Sequence, residues 1–113
     1  MKPARFHPEA EVELAAEAKF YEEQWRGLGE RFTEEVEAAL KLASLFPEIG
    51  SPYKYGTRRV FPKKFPFSIV YTVLVKELVV LAIAPFPRKV AYWRNRKSAV
   101  SVLPWHLDTG RSL

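Results

Sequence analysis

Apolar positions follow two different periods along the chain, and the change comes near residue 50. Ala10, Leu14, Ala18, Tyr21 and Trp25 recur at spacings of three and four. That places them on one stripe of a helix starting near Pro8, with Glu9, Glu13 and Glu17 elsewhere on it. Gly27 and Gly29 interrupt the pattern. A second stripe at Leu28, Phe32, Val36, Ala39, Leu40 and Ala43 runs to Phe46-Pro47, where the residue before a proline leaves the helical region. Two helices joined by so short a turn make an αα-hairpin. Acidic residues near the helix starts suit the macrodipole.

Beyond residue 50 the period shortens. Ser51-Pro52 and Tyr55-Gly56 read as the punctuation of a loop, and Thr57 to Phe61 as a short strand closed by Pro62. Phe67 to Val73 is rich in β-branched and aromatic residues, with Ser68 and Thr72 on one face. Lys76-Glu77 supplies a turn. Leu78 to Ala84 is apolar on both faces, as a covered strand should be, and Pro85 and Pro87 end it because neither can donate to a ladder. The expected fold is α+β: an N-terminal αα-hairpin packed on one face of a small twisted, mainly antiparallel β-sheet, with Lys2 to Phe6 as an added edge strand. Ala99 to Leu103 alternates weakly and Pro104 to Leu113 has no period, so the tail reads as disordered.

Composition narrows the classes. A chain of 113 residues with 48% apolar side chains supports one core. It has no cysteine, which excludes disulfides and thiolate metal sites and fits the cytoplasm. The first residues lead into no apolar leader, and the longest apolar run, Leu78 to Phe86, is too short to span a bilayer. The net charge of +5 hides a division: residues 1–50 hold six Lys/Arg against eleven Glu, and residues 51–113 hold twelve Lys/Arg against Glu77 and Asp108. The second half therefore calls for an anionic partner, either nucleic acid or an acidic protein segment.

An ordered series of residues carries a family likeness. Phe6-His7-Pro8-Glu9-Ala10, Tyr21, Gly27-Leu28-Gly29, Phe32, Pro47, Arg58-Arg59-Val60-Phe61, Phe65-Pro66-Phe67-Ser68-Ile69-Val70-Tyr71 and Tyr92-Trp93-Arg94-Asn95-Arg96 together resemble the RelE/ParE toxin superfamily of type II toxin–antitoxin systems, closer to its ParE-like members. The likeness spans roughly residues 5–96, so residues 1–96 are expected to form one toxin domain and 97–113 an extension of uncertain structure. It implies a toxin neutralised by a cognate antitoxin, acting in the cytoplasm on DNA gyrase if ParE-like, or on ribosome-bound messenger RNA if RelE-like. Two departures stand out: many relatives have His after the central apolar strand and Pro shortly before the Tyr-Trp pair, where this chain has Pro85 and Val90.

Metal-free RNA cleavage needs a group to take the 2′-hydroxyl proton, a donor for the leaving oxygen and cations for the phosphate. By resemblance to RelE-like enzymes, Lys63 or Lys64 would approach the phosphate, Arg88 would stabilise its charge, Tyr92 would serve as base or stacking platform, and Arg59 would complete the set. Arg58, Lys63, Lys89, Arg94 and Arg96 complete an anion-binding surface. Read singly, the aromatics are ordinary apolar anchors and the cations a solvated face. His7 reads as a capping or surface residue, His106 lies in the tail, and Glu9, Glu13 and Glu17 read as solvated. No metal or other cofactor is expected, and no phosphate loop or serine-nucleophile turn is present. The lack of an acid/base pair favours a ParE-like binding inhibitor; the alternatives are a RelE-like ribosome-dependent endoribonuclease and an inactive toxin homologue. Phe20, Trp25 and Phe46 are candidates for an apolar groove that receives the antitoxin.

Overall fold

The computed structural model describes residues 1–86 and Arg96. A short strand β1 (Ala4–Phe6) leads into helices α1 (Pro8–Gln24) and α2 (Leu28–Leu45), and strands β2 (Ser51–Tyr53), β3 (Thr57–Val60), β4 (Phe67–Val73) and β5 (Leu78–Pro85) follow. The sheet order is β1-β5-β4-β3-β2. Neighbours are antiparallel except β1 and β5, which run parallel with Ala4 opposite Leu78. The α+β architecture and the N-terminal edge strand agree with the sequence. Pro85 is the last residue of β5 rather than its first neighbour, and β3 stops one residue short of Phe61.

The core lies between the helical hairpin and one sheet face. Phe32, Val36 and Leu40 of α2 meet Phe67, Ile69, Val80 and Ile83, and Tyr21 and Phe65 complete an aromatic cluster with Phe32 and Phe67. Ring centroids of Phe32 and Phe67 stand 4.9 Å apart, within the range in which aromatic pairs add to simple burial. The helix-facing residues of β5 change from Val80 to Ile83 because the ladder is irregular: Tyr71 pairs with Val80 and Val70 with Ala82, leaving Leu81 as an extra residue. Val70, Val79, Leu81, Ala82 and Ala84 form a second buried cluster with Tyr53 and Leu74 on the opposite face.

Three sequence expectations need correction. The Ser51-Pro52 segment is not a loop; it is the edge strand β2, paired to β3 through Ser51 and Arg59. A proline is acceptable there because an edge strand leaves half of its backbone groups outside the ladder. What bends the chain back is Tyr71, buried in β4: its hydroxyl donates to the Pro47 carbonyl at 2.7 Å and accepts from the Gly50 N–H at 3.1 Å. Second, Trp25 does not continue the α1 stripe. It is the extended residue that caps α1, and 74% of it is exposed.

Third, Glu13 is not solvated. β1 is only three residues long and pairs β5 no further than Val80, where His7 N–H donates to the Val80 carbonyl at 2.8 Å and the chain turns into α1. Glu13 reaches over from α1 and accepts from Ile83 N–H at 3.0 Å, while its other oxygen pairs with Arg96 at 3.0 Å. Arg96 in turn donates to the Leu81 carbonyl at 3.0 Å. One carboxylate and one guanidinium thereby satisfy backbone groups that no strand covers among the described residues.

Candidate functional site

Of the basic residues expected to act together, Arg58, Arg59, Lys63 and Lys64 sit on β3 and the turn after it and face different ways, whereas Arg96 is held apart from them by Glu13 and the Leu81 carbonyl. Strand alternation puts Arg58 and Val60 on the helix side and Arg59 on the other, in agreement with the pairing of Arg58 with buried Tyr71 and of Arg59 with Val70. Arg58 donates to the carbonyls of Gly50 at 2.7 Å and Glu48 at 3.1 Å. Its charge thus helps Tyr71 to hold the segment after α2.

Arg59 lies against aromatic rings. Its guanidinium carbon is 3.9 Å from the Tyr53 ring centre and 5.3 Å from that of Phe61, and Phe61 in turn meets Phe86 at 6.1 Å. Its Nε is buried without a hydrogen-bond partner among the described residues. A guanidinium stacked in this way keeps its planar fork oriented at little further entropic cost, which suits a carboxylate or phosphate. Lys63 and Lys64 form the exposed turn between β3 and β4, with Lys64 in the left-handed region at φ 68°. That conformation orients the turn at the cost of local strain. Arg88, Lys89, Tyr92 and Arg94 lie outside the described residues, as does the extension 97–113 with His106.

Next to this arm runs a groove of ≈ 390 Å³ between α2 and the end of β3, lined by Ala38, Leu42, Ile49, Phe61 and Lys63, with Glu35 at one end. Leu42 belongs to a second apolar stripe of α2, which continues through exposed Leu45 and Phe46 to Ile49. Ile49 also lines a wider cleft of ≈ 990 Å³ with Phe46, Pro52, Tyr53 and Lys2. Phe61 is shared between the Arg59 stack and the groove, so the apolar channel opens beside the stacked cation.

Of the three aromatic residues expected to line one groove, only Phe46 belongs here. Phe20 is exposed on α1 with its ring edge-on to Tyr21, and Trp25 stands at the turn between the helices. Sequence reasoning missed Tyr53 and Phe61 as partners of Arg59 and Phe86 as a partner of Phe61, and missed the second stripe of α2. The signal for the stripe was present: Leu42 and Leu45 fall off the core-facing period of that helix.

His7 is the N-cap of α1. Its Nδ1 accepts from Glu9 N–H at 3.1 Å, and burial, reinforced by the positive charge of Arg96, lowers its pKa from the usual 6.5. Glu9 and Glu13 oppose that shift. Among the described residues no helix is long and apolar enough to cross a membrane.

A family model described as ParE toxin of type II toxin–antitoxin system, parDE, matches residues 4–85. Among solved structures, one titled "Chromosomal ParDE TA system from P. aeruginosa" is similar with a TM-score of 0.56 and 22% identity, covering 75% of this chain and 96% of that one. At that identity the likeness is one of fold. No curated protein matches significantly.

Proposed function

The chain belongs to the ParE toxin family of type II toxin–antitoxin systems, and from that premise we propose that it arrests growth in the cytoplasm by binding and poisoning DNA gyrase. Membership makes it the toxin of such a pair, with a cognate antitoxin as counterpart. In this reading residues 1–96 are the toxin domain and 97–113 an extension of it.

The way β3 employs its arginines carries the choice of binding over catalysis. Arg58 is spent on the carbonyls of Glu48 and Gly50, and Arg59 is stacked on Tyr53 and Phe61. These are roles of holding and recognition, since a guanidinium in either setting neither takes nor gives a proton. The antitoxin fits the other half of the same region. An amphipathic acidic segment would lay apolar side chains along Ala38, Leu42, Ile49 and Phe61 and set carboxylates against Lys63 and Arg59.

Two readouts on the purified chain test the target. Gyrase supercoiling should be inhibited, with accumulation of gyrase-linked DNA breaks, while messengers in a translating extract remain whole. Cleaved messengers with unaffected supercoiling would overturn the proposal in favour of a ribosome-dependent ribonuclease.

A further inference from the structure

Trp25 presents the broadest apolar ring available to a protein at the tip of the helical hairpin, and the turn around it is built to keep it there. Its backbone N–H donates to the Tyr21 carbonyl at 3.1 Å and its carbonyl accepts from Leu28 N–H at 3.0 Å. The next residue but one, Gly27, has φ 88°, a conformation that side chains resist. The Glu22 carboxylate then accepts from Gly27 N–H at 2.8 Å and Gly29 N–H at 3.0 Å, and these bonds lower its pKa below the usual carboxylate value. Arg26 and Arg31 are exposed on either side of a depression of ≈ 500 Å³ that Trp25 and Leu28 also line.

We propose that this turn is the toxin's contact with its protein target: Trp25 enters an apolar pocket whose rim carries carboxylates that meet Arg26 and Arg31. The inference rests on the reading of the chain as a toxin. Trp and Arg are the residues that most often dominate binding energy, and a guanidinium matches a carboxylate with two parallel hydrogen bonds. A rigid turn also keeps the ordering cost of binding low.

Electrostatics favours a protein over a nucleic acid here. Residues 1–50 carry six Lys/Arg against eleven Glu, and exposed Glu22, Glu23, Glu30 and Glu34 flank the turn along the chain. A duplex, with a phosphate charge about every 1.7 Å, would run against these acids on both sides, whereas a pocket meets only the tip. Geometry separates the tip from the antitoxin groove. The rise of α2 puts roughly 15 Å between Leu28 and Ala38 of that groove and roughly 21 Å between Leu28 and Leu42.

The test compares full-length wild type with Trp25→Ala, Trp25→Phe and the double change Arg26→Glu/Arg31→Glu, each made with its antitoxin. All three sites are exposed, so melting temperature and antitoxin affinity should stay near wild type. The concentration that half-inhibits gyrase supercoiling should rise about thirtyfold for Trp25→Ala and the double change, and less for Trp25→Phe, which keeps a ring. Inhibition equal to wild type by both variants overturns the proposal. So does a loss of antitoxin affinity, which gives the tip to the antitoxin, or a matching loss of duplex DNA binding, which makes the ligand nucleic acid. If wild type arrests growth without touching gyrase, the gyrase reading falls alone, and growth arrest becomes the readout: variants that no longer arrest support the tip, and variants that arrest like wild type overturn it. A harmless wild type removes the toxin reading and the tip together.

Discussion

His7 stands where the chain passes from the edge of the sheet into α1, and it serves both elements: its N–H bonds Val80 and its imidazole caps the helix. That cap requires an unprotonated Nδ1. Burial, with Arg96 behind it, lowers the imidazole pKa from 6.5 in the folded protein. The unfolded chain therefore takes up this proton first, so the stability it represents is complete above about pH 6.5 and is lost as pH falls through the depressed folded value. Urea midpoints measured from neutral to mildly acidic pH should fall for wild type. They should fall less steeply for His7→Asn, which keeps a capping acceptor and does not titrate there. Equal slopes in the two proteins would show that His7 does not contribute. The sequence reads His7 as a capping or surface residue, and the structure makes it the cap, because a His just before Pro at a helix start has an acceptor in the right place. Residue type did not predict burial, which comes from the sheet edge above.

The helices were legible from their apolar stripes, and the β4–β5 hairpin from two β-branched and apolar runs separated by Lys76-Glu77. What was not legible depends on partners far along the chain. β2 carries the marks of a loop, Pro52 and Gly56, and becomes a strand because Tyr71 ties Pro47 and Gly50 from β4. Glu13 falls off the apolar stripe and reads as solvated, since nothing in α1 reveals that Ile83 N–H of β5 lies over it. Trp25 obeys the helical period by one residue too many; the helix ends at Gln24. In the site, Arg59 was found by type, whereas its rings come from β2 and from the residue after β3. The turn between the helices supports a sharper test. A methyl group on Gly29 would overlap the Ala18 carbonyl oxygen and crowd Glu22, so α1 and α2 approach there as only glycine permits. Gly29→Ala should lower stability by about 1–3 kcal/mol, read as a drop in urea midpoint with the slope unchanged. A neutral result would mean that the helices can part without cost.

Across the whole molecule, the ion pair of Glu13 and Arg96 joins α1, β5 and the chain beyond the sheet. Both side chains are largely covered, at 16% and 17% exposure. Glu13→Ala removes the ion pair with Arg96 and the acceptor of Ile83 N–H, for an expected loss of about 2–4 kcal/mol. Glu13→Gln can still accept from Ile83 and should lose less. Chemical denaturation of the two variants would separate these contributions, and equal losses would assign the whole effect to charge. A different consequence follows from the parallel pairing of β1 with β5, which sets Ala4 opposite Leu78. The helical hairpin and the β4–β5 hairpin close short loops, whereas β1 must wait for a loop of more than seventy residues. β1 is therefore the last strand to join and the first to leave. Until it joins, an apolar strand lies with one edge open, the arrangement through which nascent chains pair with one another instead of with themselves. A partner that binds early would act in effect as this protein's chaperone.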